Sequence, residues 1–153
     1  MEKIIERYWF RGQVMHNNPM VNPEDGWVQG FYWQDLYQGE IKHFIRSSEL
    51  IWEVKPETVG LFTGFYDSST DPKPIFEGDI LHTMFADGSN CFDLVGWNVK
   101  KGCFGIMDSI DYNAVLEDEE KEYSHTIFEW MIQKKTQSVV VGNIYENAEL
   151  MLQ

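Results

Sequence analysis

Four histidines and two cysteines are the side chains of this chain best suited to holding a metal or attacking an electrophile. His16, His43, His82 and His125 stand singly, and none has a second His or a Cys at the short separations of a zinc site. They read as surface or half-buried histidines, and no metal is expected. Cys91 and Cys103 fall on the two halves of an expected hairpin. Two cysteines cannot form a disulfide framework, and as small apolar residues they fit a core in a reducing compartment better than a redox pair. Nucleophile elbows, Walker loops and the dinucleotide glycine fingerprint are absent. Gly60 and Gly64 lie close together, but no phosphate-cradling helix follows them. Carboxylate pairs are so abundant that none stands out as an acid–base couple. The residues therefore point to no catalytic site, no cofactor and no enzyme.

Three constellations do look constrained. In Phe76-Glu77-Gly78-Asp79-Ile80 a glycine supplies a backbone conformation that other residues resist, and the aspartate can bond nearby amides, so a strand can leave a turn sharply. In Val141-Gly142-Asn143-Ile144-Tyr145-Glu146-Asn147 the Gly-Asn pair interrupts a strand, and Asn147 is placed to cap a last helical turn. The ring cluster Trp27, Phe31, Tyr32 and Trp33 reads as core, with any solvent-facing subset marking a partner surface.

The elements that must position these residues are mostly strands. Ile4 to Val14 reads as a strand and turn, and the Asn17–Gly26 region, rich in Asn, Pro and Gly, as a surface loop. Ring-rich Trp27–Leu36 reads as a strand, with Gly30 marking a bulge or a close backbone crossing. Gly39 closes it, Ile41–Arg46 returns as a hairpin, and Glu49–Val54 adds a short strand before Pro56. Thr58–Tyr66, Ile75–Phe85 broken at Gly78-Asp79, Cys91–Val99, Gly102–Met107 and Ser138–Tyr145 complete the strands. The turn Asp67–Pro74 has almost nothing to bury. Acidic Asp108–Tyr123 is expected to be exposed and mobile, because like charges this close disfavour compaction. Thr126-Ile127-Phe128-Glu129 has capping-box spacing and predicts a short helix through Ile127, Trp130 and Met131 to Lys134-Lys135; Glu146–Leu152 predicts a closing helical turn. Short strands at these intervals argue for a small barrel or sandwich.

At 153 residues the chain suits one domain spanning 1–153, or a subdivision into an N-terminal β segment, 1–57, and a barrel-like core, 58–153. Apolar residues make up 43% and aromatics 15%, enough ring surface to exclude a disordered chain. A net charge of −13 argues against capture of nucleic-acid phosphates, and no apolar run approaches a membrane span. The N-terminal residues lack a signal-peptide pattern, so a cytoplasmic protein is expected. The surplus of rings for a small β body favours self-association or binding to another protein. Two alternatives compete with this. One is an acidic DNA mimic occupying a DNA-binding protein. The other is weak single-strand nucleic-acid binding on stacked rings, for which Lys42, Arg46, Lys100 and Lys101 are few bases.

The same constellations carry a family resemblance. Arg7-Tyr8-Trp9-Phe10-Arg11-Gly12, Pro56-Glu57-Thr58-Val59-Gly60, Thr63-Gly64, Ile75-Phe76-Glu77-Gly78-Asp79-Ile80 and Gly142-Asn143-Ile144-Tyr145-Glu146-Asn147 follow in the order found in the YopX family of phage and prophage proteins, which this chain resembles over essentially its whole length. It departs at Ala148, where the family pattern has proline, and at the acidic stretch Glu117–Glu122, which looks like an insertion. The resemblance implies a mostly β protein with an SH3-type barrel, a mobile-element origin and an uncharacterised function, so that a binding partner would be a host or phage protein and a DNA mimic would occupy a host DNA-binding protein. It supplies no catalytic residues, and the matched motifs read as marks of the fold.

Overall fold

The structure, a computed structural model, describes residues 9–15, 23, 25–115, 123, 125–127, 129 and 137–152. Its chain forms two compact units, Met1–Gly64 and Phe65–Gln153. Each contains antiparallel sheet, so the mostly β expectation holds.

The first unit contains β1 (Phe10–Gln13), β2 (Trp27–Tyr37), β3 (Glu40–Ser47), β4 (Leu50–Glu53), a 3-10 turn over Pro56–Thr58, and β5 (Gly60–Tyr66), which runs past the boundary. The strand order is β4-β3-β2-β1-β5. Gln38 and Gly39 join β2 to β3 in two residues, with φ of 51° and 86°. Positive φ at both positions matches the right-handed twist of the flanking strands, which fixes the register from Tyr37–Glu40 to Phe31–Arg46. Successive side chains alternate between faces. Val28, Ile45 and Val54 therefore meet in a buried cluster, with Phe10, Val14, Tyr32, Trp52 and Val59 packed on it.

Gly30 is a close backbone approach, as its place in a ring-rich strand suggests: a Cβ there would overlap the Arg46 carbonyl. A single Val14–Val54 bridge also links the ends of β1 and β4. Two bonds flank it, Met15 N to Glu53 O at 2.8 Å and Lys55 N to Gln13 O at 2.8 Å. Buried Thr58 holds this corner, since its hydroxyl donates to Lys55 O at 2.7 Å and accepts from Gln13 N at 2.9 Å.

The second unit contains β6 (Pro74–Phe76), β7 (Asp79–Met84), β8 (Asn90–Asn98), β9 (Cys103–Asp108), α1 (Ser109–Val115), β10 (His125–Thr126), β11 (Gln137–Asn143) and a 3-10 turn over Ala148–Leu152. Its sheet runs β10-β9-β8-β7-β11. Alternation again sorts the side chains. Leu81, Val95 and Ile106 bury one face with Ile75 and Ile127; Ile80, Leu94 and Met107 bury the other with Tyr112 and Met151. Among the described residues no pairing closes this sheet into a barrel, and β10 and β11 stand at its two ends.

Two expectations need correction. Residues 109–115, read as part of an exposed mobile stretch, form α1 with Tyr112 buried. Asp108 caps the helix by accepting Asp111 N at 2.8 Å, and Asn113 Nδ2 ties it to Met151 O at 3.1 Å. An acid at a helix N-terminus is favourable, so counting charge across the stretch concealed the helix. The rest of that acidic stretch, 116–122, lies outside the described residues. The turn at 67–74 also buries more than expected. Asp67 is buried, and its carboxylate accepts bonds from Ser69 N and Oγ, Lys73 N and Val140 N. A carboxylate that collects amides in this way can replace an apolar anchor.

The Thr126–Glu129 capping box is formed: Thr126 Oγ1 accepts Glu129 N at 3.1 Å, and Glu129 Oε2 accepts Thr126 N at 3.3 Å. The helix body expected after it falls on 130–136, outside the described residues. Among the described residues no helix is long and apolar enough to cross a membrane.

Candidate functional site

The register of the first unit places one row of rings on the face of β2–β3–β4 opposite the core. Phe31, Trp33 and Tyr37 share that face with Phe44, Arg46 and Ile51. Phe31 is 62% exposed, Tyr37 57% and Ile51 58%. Trp33 stacks on Phe44 with centroids 5.4 Å apart. Phe31 and Ile51 lie on either side of Arg46, each opposite it in register. Lys42 lies between Tyr37, whose ring it covers at 5.4 Å, and Glu53, at 3.3 Å. The face is an apolar strip with a mixed-charge rim, the usual composition of a protein contact patch.

The ring cluster Trp27, Phe31, Tyr32 and Trp33 therefore divides. Phe31 and Trp33 lie on the outer face. Tyr32 faces the core, 5.1 Å from the Phe10 ring, with its hydroxyl 2.7 Å from His43 Nδ1. Trp27 is half-buried beneath the Arg11 guanidinium, 5.0 Å from the ring centroid. Sequence reasoning missed Phe44 and Ile51, which join the patch through cross-strand register. Only the Gln38-Gly39 turn, taken as a two-residue hairpin loop, could have signalled it.

Beside this face is an open cleft of about 810 Å³. One wall is Trp27, Val28, Gln29 and Gly30 of β2; the other is Arg46, Ser47, Ser48, Glu49 and Leu50, with Trp9, Pro23 and Trp52 completing it.

The remaining sequence signatures build backbone. Thr63 and Gly64 close the first unit, Gly64 with φ of 86°. In the second unit, Asp79 Oδ2 accepts Phe76 N at 2.8 Å across the Glu77-Gly78 turn. Gly78 has φ of 90°, and a Cβ there would lie 2.9 Å from the Tyr145 ring. Its carbonyl accepts Ile144 N at 2.8 Å, and Asn143 pairs in register with Asp79, so the two motifs form one junction of β7 and β11. Asn143 Oδ1 accepts Tyr145 N and Glu146 N, while its Nδ2 donates to Glu146 Oε2. Asn147 does not cap the final turn with its side chain. Its Oδ1 accepts Asn143 N at 3.2 Å and sits against Gly142, where no larger residue fits. The turn uses its backbone carbonyl instead, which accepts Leu150 N at 3.0 Å, and Ala148 opens the 3-10 segment.

Sequence reasoning also missed the seat of Tyr123. Gly96 and Gly105 face each other across β8 and β9, and side chains on either would overlap Tyr123. Burial raises the Tyr123 phenol, and the charge of Glu77 adds to this.

Asp93, buried in the sheet of the second unit, accepts Thr83 Oγ1 at 2.7 Å and Cys91 Sγ at 3.3 Å; Ser138 Oγ lies 3.0 Å from the Thr83 hydroxyl. Burial raises the Asp93 carboxyl, reinforced by Asp108 and opposed by the Thr83 and Cys91 bonds and by His125. Burial first, then the charge of Asp93, pushes the Cys91 thiol up to about 12, so it stays protonated and is a poor nucleophile at neutral pH. Among the described residues no three His, Cys, Asp or Glu side chains gather where they could hold a metal ion.

Fold and signatures together define a mostly β protein of two units whose recurrent Gly, Asn and Asp positions shape turns and strand junctions. The family model described as YopX protein matches residues 9–152, and the chain belongs to the YopX family. No curated protein and no solved structure matches it.

Proposed function

We propose that this chain is a non-enzymatic protein-binding or assembly module of a phage or prophage, acting in the cytoplasm through self-association or contact with a host or phage protein. One observation carries the proposal: the strip on the outer face of β2–β3–β4 in which Phe31, Tyr37 and Ile51 are exposed and the stacked Trp33 and Phe44 are half-buried. Such a strip costs solubility unless a partner covers it, and aromatic residues dominate the energetics of protein contacts. An SH3-type barrel is part of this reading, but its support lies in the first unit and not in the 58–153 core where the sequence suggested it. The β1–β4 bridge at Val14–Val54, the 3-10 turn before β5 and the backbone crossing at Gly30 are the devices a small barrel uses to curl its sheet.

The test is light scattering on the full chain across a concentration series, with affinity capture from host cells. Self-association, or a captured partner, that Phe31→Ser with Ile51→Ser abolishes is the expected result. A strict monomer at high concentration with no captured partner overturns the proposal.

A further inference from the structure

The cleft beside the aromatic face arises where the sheet splits. β2 pairs with β1 from Trp27 to Gly30 and with β3 only from Phe31 onward, where Phe31 meets Arg46. Had the β2–β3 ladder continued, Gly30 would face Ser47 and Gln29 would face Ser48. Instead the backbones touch at Gly30 and separate, and the Arg46 side chain turns to Ser48 O at 3.3 Å. Residues 27–30 thus have a strand on one side and the cleft on the other.

The direction of the backbone groups follows from one bond. Val14 N donates to Gly26 O at 2.9 Å, in line with the β1–β2 register that places Gln13 opposite Trp27. Antiparallel ladders alternate, so Val28 and Gly30 exchange bonds with β1, whereas the N–H and C=O of Gln29 point away from it, toward the cleft; on that side the Trp27 N–H is donated to Asp25 Oδ1 at 3.0 Å, which leaves Gln29 as the main-chain donor. Trp9, Trp27 and Trp52 line the space these groups face, with Pro23 and Leu50. Arg46 and Glu49 both stand on the wall, so neither charge sign is favoured.

We propose that this cleft receives an extended peptide of a partner protein, added as a strand along residues 27–30 of β2, with uncharged apolar side chains at alternate positions lodged against Trp9 and Trp27. This inference rests on the reading of the chain as a protein-binding module and assigns it a site distinct from the outer face. A main-chain edge supplies affinity for any extended segment, and pockets for every second side chain supply selectivity. Four strand residues span about 13 Å, so a contact of this length suits a short linear segment.

The experiment selects binders to the full chain from a displayed library of random dodecapeptides, then measures synthetic copies by fluorescence anisotropy. Expected sequences alternate apolar and uncharged polar residues. N-methylation scanned along a selected peptide should abolish binding at every second position and be tolerated between. On the protein side, Gln29→Pro removes a cleft-facing N–H that the β1 ladder does not use, and should weaken binding about tenfold, whereas Gln29→Ala should stay within about threefold. Phe31→Ser, outside the cleft, should also leave peptide binding within about threefold. No recoverable peptide, or selected peptides indifferent to N-methylation, overturns the inference. If association through the outer face is nevertheless lost in Phe31→Ser, the proposed function stands without the cleft. Because the N-methyl scan alters only the peptide, it decides the matter even if Gln29→Pro fails to fold.

Discussion

In the second unit the sheet carries a buried cluster on each side: Leu81, Val95 and Ile106 toward Ile75 and Ile127, and Ile80, Leu94 and Met107 toward Tyr112 and Met151. In the first unit only the side bearing Val28, Ile45 and Val54 is buried, and Phe31, Tyr37 and Ile51 are displayed on the other. Charge divides the same way. The first unit has nine acids against six bases, a net of −3; the second has sixteen against six, a net of −10. The second unit has exposed apolar side chains too, spread from Tyr66 to Leu152, whereas most of those in the first unit crowd onto β2–β4, with Phe31, Tyr37 and Ile51 on the outer face and Leu36, Ile41 and Leu50 on the other. Apolar surface concentrated on three adjacent strands of the unit with the smaller charge is what the proposed contact requires.

That contrast can be broken by substitution. Leu81→Ala should cost about 3 kcal/mol in urea unfolding, because it opens a cavity in a fully buried cluster. A loss below about 1 kcal/mol would mean that the second unit is loosely packed.

Asp67→Ala should cost about 2 kcal/mol by the same measurement, since it leaves the amides of Lys73 and Val140 without their acceptor. Burial acts to raise this carboxyl, but the Ser69 side chain and the amides of Lys73, Val140 and Ser69 outweigh it and hold the group below its ordinary value. Its contribution is therefore present above the unfolded-state pKa and lost as pH falls through the lower folded-state value. The mutant penalty should shrink in a melting series carried well below pH 4.

Asp93 works in the opposite sense. Its raised carboxyl favours the folded state below the unfolded-state pKa, and this contribution is lost as pH rises through the folded-state value. Asp93→Asn should raise the melting temperature at pH 7 and lose that advantage near pH 4. An advantage that grows on acidification would reverse the assignment.

Smallest of all, Ile51→Ser on the open face should change stability by no more than about 0.5 kcal/mol while reducing association. A loss comparable to that of Leu81→Ala would show that the outer face is covered within the monomer.

Local chemistry was legible. Gly39 ends β2, the break at Gly78-Asp79 separates β6 from β7, and the Lys100–Gly102 turn joins β8 to β9. Each is written in neighbouring residues through turn geometry. Thr126 and Glu129 likewise announce their capping box at a spacing of three. What could not be read depends on residues far apart in the chain. Trp33 meets Phe44 only once the register of β2 and β3 is fixed, and Val140 reaches Asp67 across seventy-three positions. The aromatic cluster was located, but which of its rings face outward follows from alternation about Gly30, where β2 changes partners. The cleft is the clearest omission, because it arises from pairing that stops, and a sequence does not announce where a ladder ends.

Tyr123 lies flat over two facing glycines, and its carbonyl accepts Asn98 Nδ2 at 3.0 Å. Upstream, Tyr112 belongs to the buried cluster on which Tyr123 also packs, and Asn113 ties α1 to the closing turn. Residues on both sides of the acidic stretch are therefore tied down on one cluster, that of Ile80, Leu94, Met107, Tyr112 and Met151.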